Sequence, residues 1–207
     1  MNYFKQTILC LVIVSTSSAA FSQNYYDKGM QAMLKRDFKV AVVNLEKADV
    51  KEPNNPNVLQ MLGYSYFQNG DFENSIASYS KLIAVKPNEV SAYYYRGKAR
   101  LNIANDPKES LNQMREIFYA SSIKDFTKAI EIGGDENVQM LQNRAIAYKD
   151  YGIFKSYKIK KSADKVICIS ILNNSVADFQ KILTLQPLRK DIIDLIAYVK
   201  AQVVSLK

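Results

Sequence analysis

"LGYSYFQNGDF", residues 62–72, decides how this chain folds. Leu59, Leu62, Gly63 and Tyr66 fall at i, i+3, i+4 and i+7, one face of a helix. Asn69-Gly70 is a stop signal, and Asp71 is placed to cap a following helix. That second helix sets Ile76, Tyr79 and Ile83 on one face, and Pro87 ends it. Gly63 sits inside the first helix, where glycine costs about 1 kcal/mol relative to alanine. The rest of the chain supplies a reason. Gly29, Gly63 and Gly97 are spaced 34 residues apart, as are Asp37-Phe38 and Asp71-Phe72, and Pro53 and Pro87. Three residue features on one period mark a helix–turn–helix repeat, and the glycine becomes the point where two helices approach closely.

Working outward, "LGYSYFQNGDFENSIASYSKLIAVKP" (62–87) resembles a tetratricopeptide repeat. The family pattern has Leu-Gly and an aromatic in the first helix, Gly-Asp-aromatic at the turn, Ile and Tyr in the second helix, and a closing Pro. "YYDKGMQAMLKRDFKVAVVNLEKADVKEP" (25–53) is a second match and carries the family's small residues as Ala41 and Ala48. Ser75 and Leu82 replace those small residues in the clearest repeat. Arg36 replaces the turn glycine in the earlier one.

Beyond residue 90 the pattern loosens. "SAYYYRGKAR" (91–100) reads as a first helix and "IKDFTKAIEI" (123–132) as its second, with about 13 residues more than the period allows. "QNRAIAYKDYG" (142–152), with Ala145 at the glycine position, is a further first helix. "VADFQKILTLQP" (176–187) follows after roughly 18 extra residues. "DFTKAI" (125–130) and "DFQKIL" (178–183) are visibly related. The expectation is an all-α solenoid of antiparallel helix pairs, right-handed as the resemblance implies. Its four repeats lie at about 24–55, 56–89, 90–136 and 137–187, the last two expanded. In "NDPKESLNQMREIFYASSIKDF" (105–126), Asp106, Pro107 and Glu109 form a helix start, which extends the second helix toward its N-terminus. In "KSYKIKKSADKVICISILNN" (155–174), the apolar run 166–172 reads as helix capped by Ser162, with a short strand as the rival. Finally, Leu188, Ile192, Leu195, Ile196, Val199 and Val203 form one stripe of an amphipathic helix over 188–206. It reads as the terminal cap of the solenoid, with a membrane-surface helix as the rival.

Composition narrows function. The 207 residues are 48% hydrophobic and 23% charged, ordinary for a globular chain, with no histidine and no tryptophan. Absence of histidine removes Ser-His-Asp and Cys-His catalysis and most zinc sites. "SADK" (162–165) and "SSIK" (121–124) fit Ser-x-x-Lys without the companion motifs of serine hydrolases. "IGGDEN" (132–137) lacks phosphate-loop spacing and reads as a turn. No enzyme, metal or cofactor is implied. Lys5, the apolar run 8–14 and Ala20 with Ser22 read as a secretory signal over 1–22, cleaved before Gln23. The mature chain would then be secreted or periplasmic. The wealth of Lys, Asn, Ile and Tyr suits a bacterial genome rich in A and T. Cleavage removes Cys10 and leaves Cys168 alone among apolar neighbours, a small buried hydrophobe without an internal partner.

What the resemblance implies for function is a non-enzymatic protein-interaction scaffold holding a peptide or partner-protein segment in a concave groove lined by first helices. The family's groove positions fall on Tyr26, Met30, Met33, Gln60, Tyr64 and Phe67, then Tyr94, Lys98, Leu101, Gln142, Ile146 and Lys149. The carboxylate clamp of chaperone-binding relatives is not possible with Tyr26, Met30, Met61, Ser91 and Tyr95 at the matching positions. The charge of +8 supports an alternative: a basic helical-repeat protein that binds RNA or an anionic surface. A secreted chain meets little nucleic acid, which favours the first reading. Lys155, Lys158, Lys160, Lys161 and Lys165 form the one local cluster, either a solvated loop or a patch for an acidic partner.

Overall fold

The structure, a computed structural model, describes residues 22–108 and 112–207. The signal expectation therefore falls almost wholly outside the described residues, as does Glu109 of the expected helix start. The described residues form α-helices and their connections. In order they are α1 (22–34), α2 (Phe38–Lys51), α3 (Pro56–Gln68), α4 (Phe72–Val85), α5 (Val90–Asn105), α6 (Asn112–Gly133), α7 (Val138–Ser156), α8 (Ser162–Leu185) and α9 (Lys190–Ser205). The chain divides into two compact units, one through Ala92 and one from Tyr93.

Caps start the helices where the sequence places them. Asp37 and Asp71 accept from the backbone N–H groups of Val40 (3.1 Å) and Asn74 (3.2 Å). Asn55 caps α3 ahead of Pro56, and Asn137 caps α7 by accepting from Met140 N–H at 3.0 Å. The turn glycine has a conformational reason: Gly70 has φ +79°. Arg36 occupies the same place one repeat earlier at φ +59°, a strained position for a side chain.

In the first unit the core is Ala32, Ala41, Val42, Leu45, Leu62 and Tyr66, with Tyr26 and Met33 half-buried against it. Its seam is the glycine line. A Cβ on Gly29 would lie 2.6 Å from Leu45 Cγ, and one on Gly63 would lie 2.9 Å from the Tyr79 ring. Ser75, which stands where the family uses alanine, is buried and donates its hydroxyl to the Gly63 carbonyl at 2.9 Å. The polar substitution is thus satisfied inside the seam.

The second unit repeats the seam and then lengthens it. Gly97 meets Phe126, a Cβ there lying 3.0 Å from the ring. Ala145 accepts from the Ser175 hydroxyl at 2.8 Å, as Gly63 does from Ser75. Seven residues on, Gly152 makes a second close approach: a Cβ would lie 2.5 Å from Leu172 Cδ2. Its carbonyl accepts from the buried Cys168 thiol at 3.0 Å. Since seven residues are about two helical turns, the long α7–α8 pair carries the same contact face two turns further. The helix reading of 166–172 holds, because these residues lie in α8. By length and composition α8 is apolar enough to cross a membrane. Its Cys168, Leu172, Val176, Phe179 and Ile182 are core residues of the unit, alongside Ile192, Ile196, Val199 and Val203 of α9.

Three local expectations are corrected. Asp106 does not cap a helix: residues 106–108 are not helical, and Asp106 accepts from Lys108 N–H at 3.0 Å instead. The Asp106 carboxylate takes the N–H two residues on and closes a local turn, residues 107 and 108 stay non-helical, and α6 is described from Asn112. Ser162 is the first residue of α8 rather than its cap. Lys161 holds the cap position, and Asp164 accepts from the N–H groups of Lys160 and Lys161, both at 3.0 Å. Leu188 is not on the buried stripe of α9. It lies before the helix and is 96% exposed, while Ile193 and Tyr198 add apolar surface to the outer face of α9.

Candidate partner-binding surfaces

The first-helix positions divide by unit. In the first unit Met30 is 39% exposed and Gln60 is exposed, while Tyr26, Met33, Tyr64 and Phe67 are half-buried. Tyr64 lies edge-on to Phe38 (6.0 Å between centroids), and Phe67 packs on Phe72 (5.6 Å). What remains exposed is apolar and aromatic, with Gln60 donating to Ser91 Oγ at 3.3 Å.

In the second unit the same positions are mostly occupied. Tyr94 and Leu101 are buried, so two positions expected to face a partner belong to the interior. Tyr94 packs on Tyr95 and Phe126 and accepts from Asn143 Nδ2 at 3.0 Å. Burial pushes its phenol up to about 12. Lys98 lies 5.5 Å over the Tyr94 and Tyr95 rings, and burial lowers its pKa. Gln142 accepts from Arg189 at 3.2 Å, Ile146 packs on the core, and Lys149 pairs with Asp150. Tyr94 is interior because the rings of Tyr95 and Phe126 and the Asn143 side chain close around it.

The related "DFTKAI" and "DFQKIL" segments prove to be ion-pair sites. Asp125 and Asp178 are buried. Arg96 binds Asp125 through both carboxylate oxygens (2.7 and 3.0 Å), and Arg100 adds a bond at 2.6 Å. Arg144 binds Asp178 in the same bidentate way (2.8 and 2.7 Å). Each pairing arginine (Arg96, Arg144) directly precedes the small seam residue, Gly97 or Ala145. Three of the chain's 28 lysine and arginine side chains are thereby committed to internal pairs. The sequence showed the likeness of the two segments but not the partner, which comes from the neighbouring helix.

The two expansions meet each other. The lengthened N-terminal part of α6 packs on the lengthened C-terminal part of α7. Tyr119 stacks on Tyr151 at 5.6 Å and 22°, and on Phe154 at 5.4 Å. Glu116 accepts from Lys155 at 2.6 Å and from Tyr151 at 3.0 Å, and the Lys155 bond holds its carboxyl below the usual range. Arg115 lies over Phe154 at 5.6 Å and donates to the Ala104 carbonyl at 2.8 Å, satisfying the end of α5. Lys158 stands 4.0 Å over the same ring. Of the expected lysine patch, Lys155 is therefore an internal partner. Lys158, Lys160, Lys161 and Lys165 remain exposed. A cleft of about 320 Å³ opens beside the cluster. No group of three or more acidic or cysteine side chains among the described residues is placed to hold a metal.

Comparison with known proteins follows the same lines. The tetratricopeptide repeat profile matches residues 63–103. A crystal structure of MamA superposes with a TM-score of 0.68 at 19% identity, covering 91% of this chain and 87% of that one. Residues 41 to the end of MamA from Desulfovibrio magneticus RS-1 give 0.61 at 16% identity, covering 90% and 94%. A thermophilic tetratricopeptide protein of Thermus thermophilus gives 0.52 at 14% identity, covering 87% and 99%. Among curated proteins no significant match is found. At these identities the structures establish the shared fold, a solenoid of helix pairs.

Proposed function

We propose, from the premise that the chain carries tetratricopeptide repeats, that it binds a peptide or partner-protein segment along its first-helix face. A role as protein-interaction scaffold is supported by the repeat match and by the shared fold. Binding along the first helices is supported by one observation. In the first unit Tyr26, Met30, Met33, Tyr64 and Phe67 carry uncovered apolar and aromatic surface on α1 and α3, although their neighbours in the seam are fully buried. Aromatic rings give large contact area at low entropic cost, and methionines adapt to varied partners. The chemistry on this face is recognition rather than catalysis.

The same reading puts the mature chain outside the cytoplasm, after removal of residues 1–22. Ser22 donates to Glu52 at 3.3 Å, a contact that a chain beginning at Gln23 lacks. N-terminal sequencing of the protein from its host tests this, with Gln23 as the expected first residue.

Peptides selected from a displayed library against the chain, then titrated by fluorescence anisotropy, test the binding face. A selected peptide is expected to lose at least tenfold in affinity to a Met30→Ser/Tyr64→Ala variant. Equal affinity for wild type and variant, across all selected peptides, sinks the assignment.

A further inference from the structure

The two expansions break the 34-residue period, and the structure gives them a shared product: a cleft in the second unit lined by Asn105, Arg115, Tyr119, Asp150, Phe154 and Tyr157. We infer that this cleft docks an acidic segment of a partner protein that inserts one aromatic or other large apolar side chain. The inference rests on the proposed scaffold role and names the chemistry of the partner at a contact separate from the first-helix face of the first unit.

Size comes first. A cleft of about 320 Å³ is at the lower limit for ligand pockets. It suits one or two side chains rather than a cofactor. Its walls are the packed rings of Tyr119 and Phe154, and at its margin Tyr157 is 85% exposed. A tyrosine ring left uncovered beside other aromatics is surface that a docked side chain would cover.

Charge comes second. The cluster holds four cations, Arg115, Lys149, Lys155 and Lys158, against three carboxylates, Glu116, Asp150 and Asp164. Glu116 and Asp150 already have lysine partners, Lys155 and Lys149, and Asp164 is held by the N–H groups of Lys160 and Lys161. The surplus is positive and continues into exposed Lys160, Lys161 and Lys165 just along the chain. Such a surface attracts acidic residues and speeds their encounter.

Nucleic acid is the competing occupant, since phosphates seek the same cations. A base, however, needs an open ring face. Here Phe154 is covered by Lys158 at 4.0 Å, and Tyr119 is stacked on Tyr151. Among Tyr119, Phe154 and Tyr157 only Tyr157 keeps an exposed face, one stacking site rather than the succession of rings that a nucleic-acid strand uses, which favours a single inserted side chain over bases.

The test uses the full chain and a fluorescein-labelled peptide with one phenylalanine flanked by aspartates and glutamates. Two control peptides replace the phenylalanine by alanine or the acids by glutamines, and a labelled oligouridine is the third probe. Tyr157→Ala and Lys158→Glu are the variants, because both side chains are exposed and the fold should survive, checked by circular dichroism. The acidic phenylalanine peptide should bind in a salt-sensitive way. Each control peptide and each variant should weaken binding by roughly tenfold, and Tyr64→Ala should leave it unchanged. Absence of binding by wild type overturns the inference. So does equal binding by both variants, or tighter binding of oligouridine that Lys158→Glu abolishes. Loss in Tyr64→Ala alone also overturns it and leaves the first-helix face standing. Failure of that face is read separately, from the selected peptides and the Met30→Ser/Tyr64→Ala variant.

Discussion

Replacing Gly152 with alanine sets two effects of opposite sign against each other. Gly152 lies inside α7, where alanine would favour the helix by about 1 kcal/mol. The added methyl, however, would sit 2.5 Å from Leu172 Cδ2 and 2.7 Å from Leu172 Cγ. Leu172 is completely buried in the core of the second unit, so its side chain has no open direction in which to retreat. Overpacking of this kind costs about 1–3 kcal/mol. The net expectation is destabilisation by about 1 kcal/mol, concentrated in the α7–α8 pair. Cys168 gives a local probe, since its buried thiol bonds to the Gly152 carbonyl and reacts only when the pair opens. In a Cys10→Ser background, Gly152→Ala should speed thiol labelling about fivefold and lower the Tm by about 2–4 °C. The companion experiment flips the sign. Leu172→Ala alone costs about 2–5 kcal/mol, but it vacates the space the new methyl needs. In that background Gly152→Ala should stabilise by the helix preference alone, about 1 kcal/mol, a coupling that a double-mutant cycle reads directly. If Gly152→Ala slows labelling with Leu172 intact, the close-approach account of this glycine is wrong. Gly63→Ala should be milder, because the equally buried Tyr79 ring lies at 2.9–3.0 Å and has less distance to give than Leu172 at 2.5 Å.

Other measurements follow from the same geometry. Arg36→Gly should raise stability by about 0.5–1 kcal/mol by relieving φ +59°, and Gly70→Ala should lower it by about 1 kcal/mol at φ +79°. Chemical denaturation checks both signs. Asp178→Ala leaves Arg144 without its bidentate partner. With the arginine side chain 19% exposed, the cost should be about 2–3 kcal/mol, at the low end for a broken buried pair, read as a loss in denaturation midpoint. Alkaline titration should expose the buried tyrosines. Tyr94 and Tyr119 are pushed up to about 12, and Tyr66 and Tyr151 higher still, chiefly by burial. Their folded values lie above the unfolded one, so their contribution is intact below pH 10 and is lost as pH rises through 10 to 12. Tyrosinate absorbance and helical circular dichroism should therefore change together in that range. Ionisation of all 14 tyrosines near pH 10 with the helices intact would contradict this.

The period made the regular part of the fold legible, because a seam glycine is a packing requirement written in sequence. Gly29, Gly63 and Gly97 recur wherever a second helix comes within about 3 Å of a would-be Cβ. Gly152 escaped the same reading although it performs the same task. The α7–α8 pair extends its contact face by two turns, so its extra glycine falls seven residues beyond Ala145 and outside the 34-residue count. Capping was legible where one side chain and one N–H settle it, as at Asp71, but not at Asp106, whose carboxylate takes the N–H two residues on and closes a local turn instead. The candidate surfaces were the least legible, because exposure is decided between helices. Tyr94 stands at the same repeat position as Gln60, yet one is buried and the other exposed. A 34-residue repeat fixes which side of a helix a residue occupies, and what the neighbouring helix leaves uncovered depends on how long that helix is. The expansions lengthen the second helices α6 and α8. The same lengthening brings Arg115, Glu116 and Tyr119 against Tyr151, Phe154 and Lys155, side chains that no period relates. The proposed docking cleft lies where the expansions meet, so on that proposal the residues that break the repeat are the ones through which this chain would differ in partner from other chains of its fold.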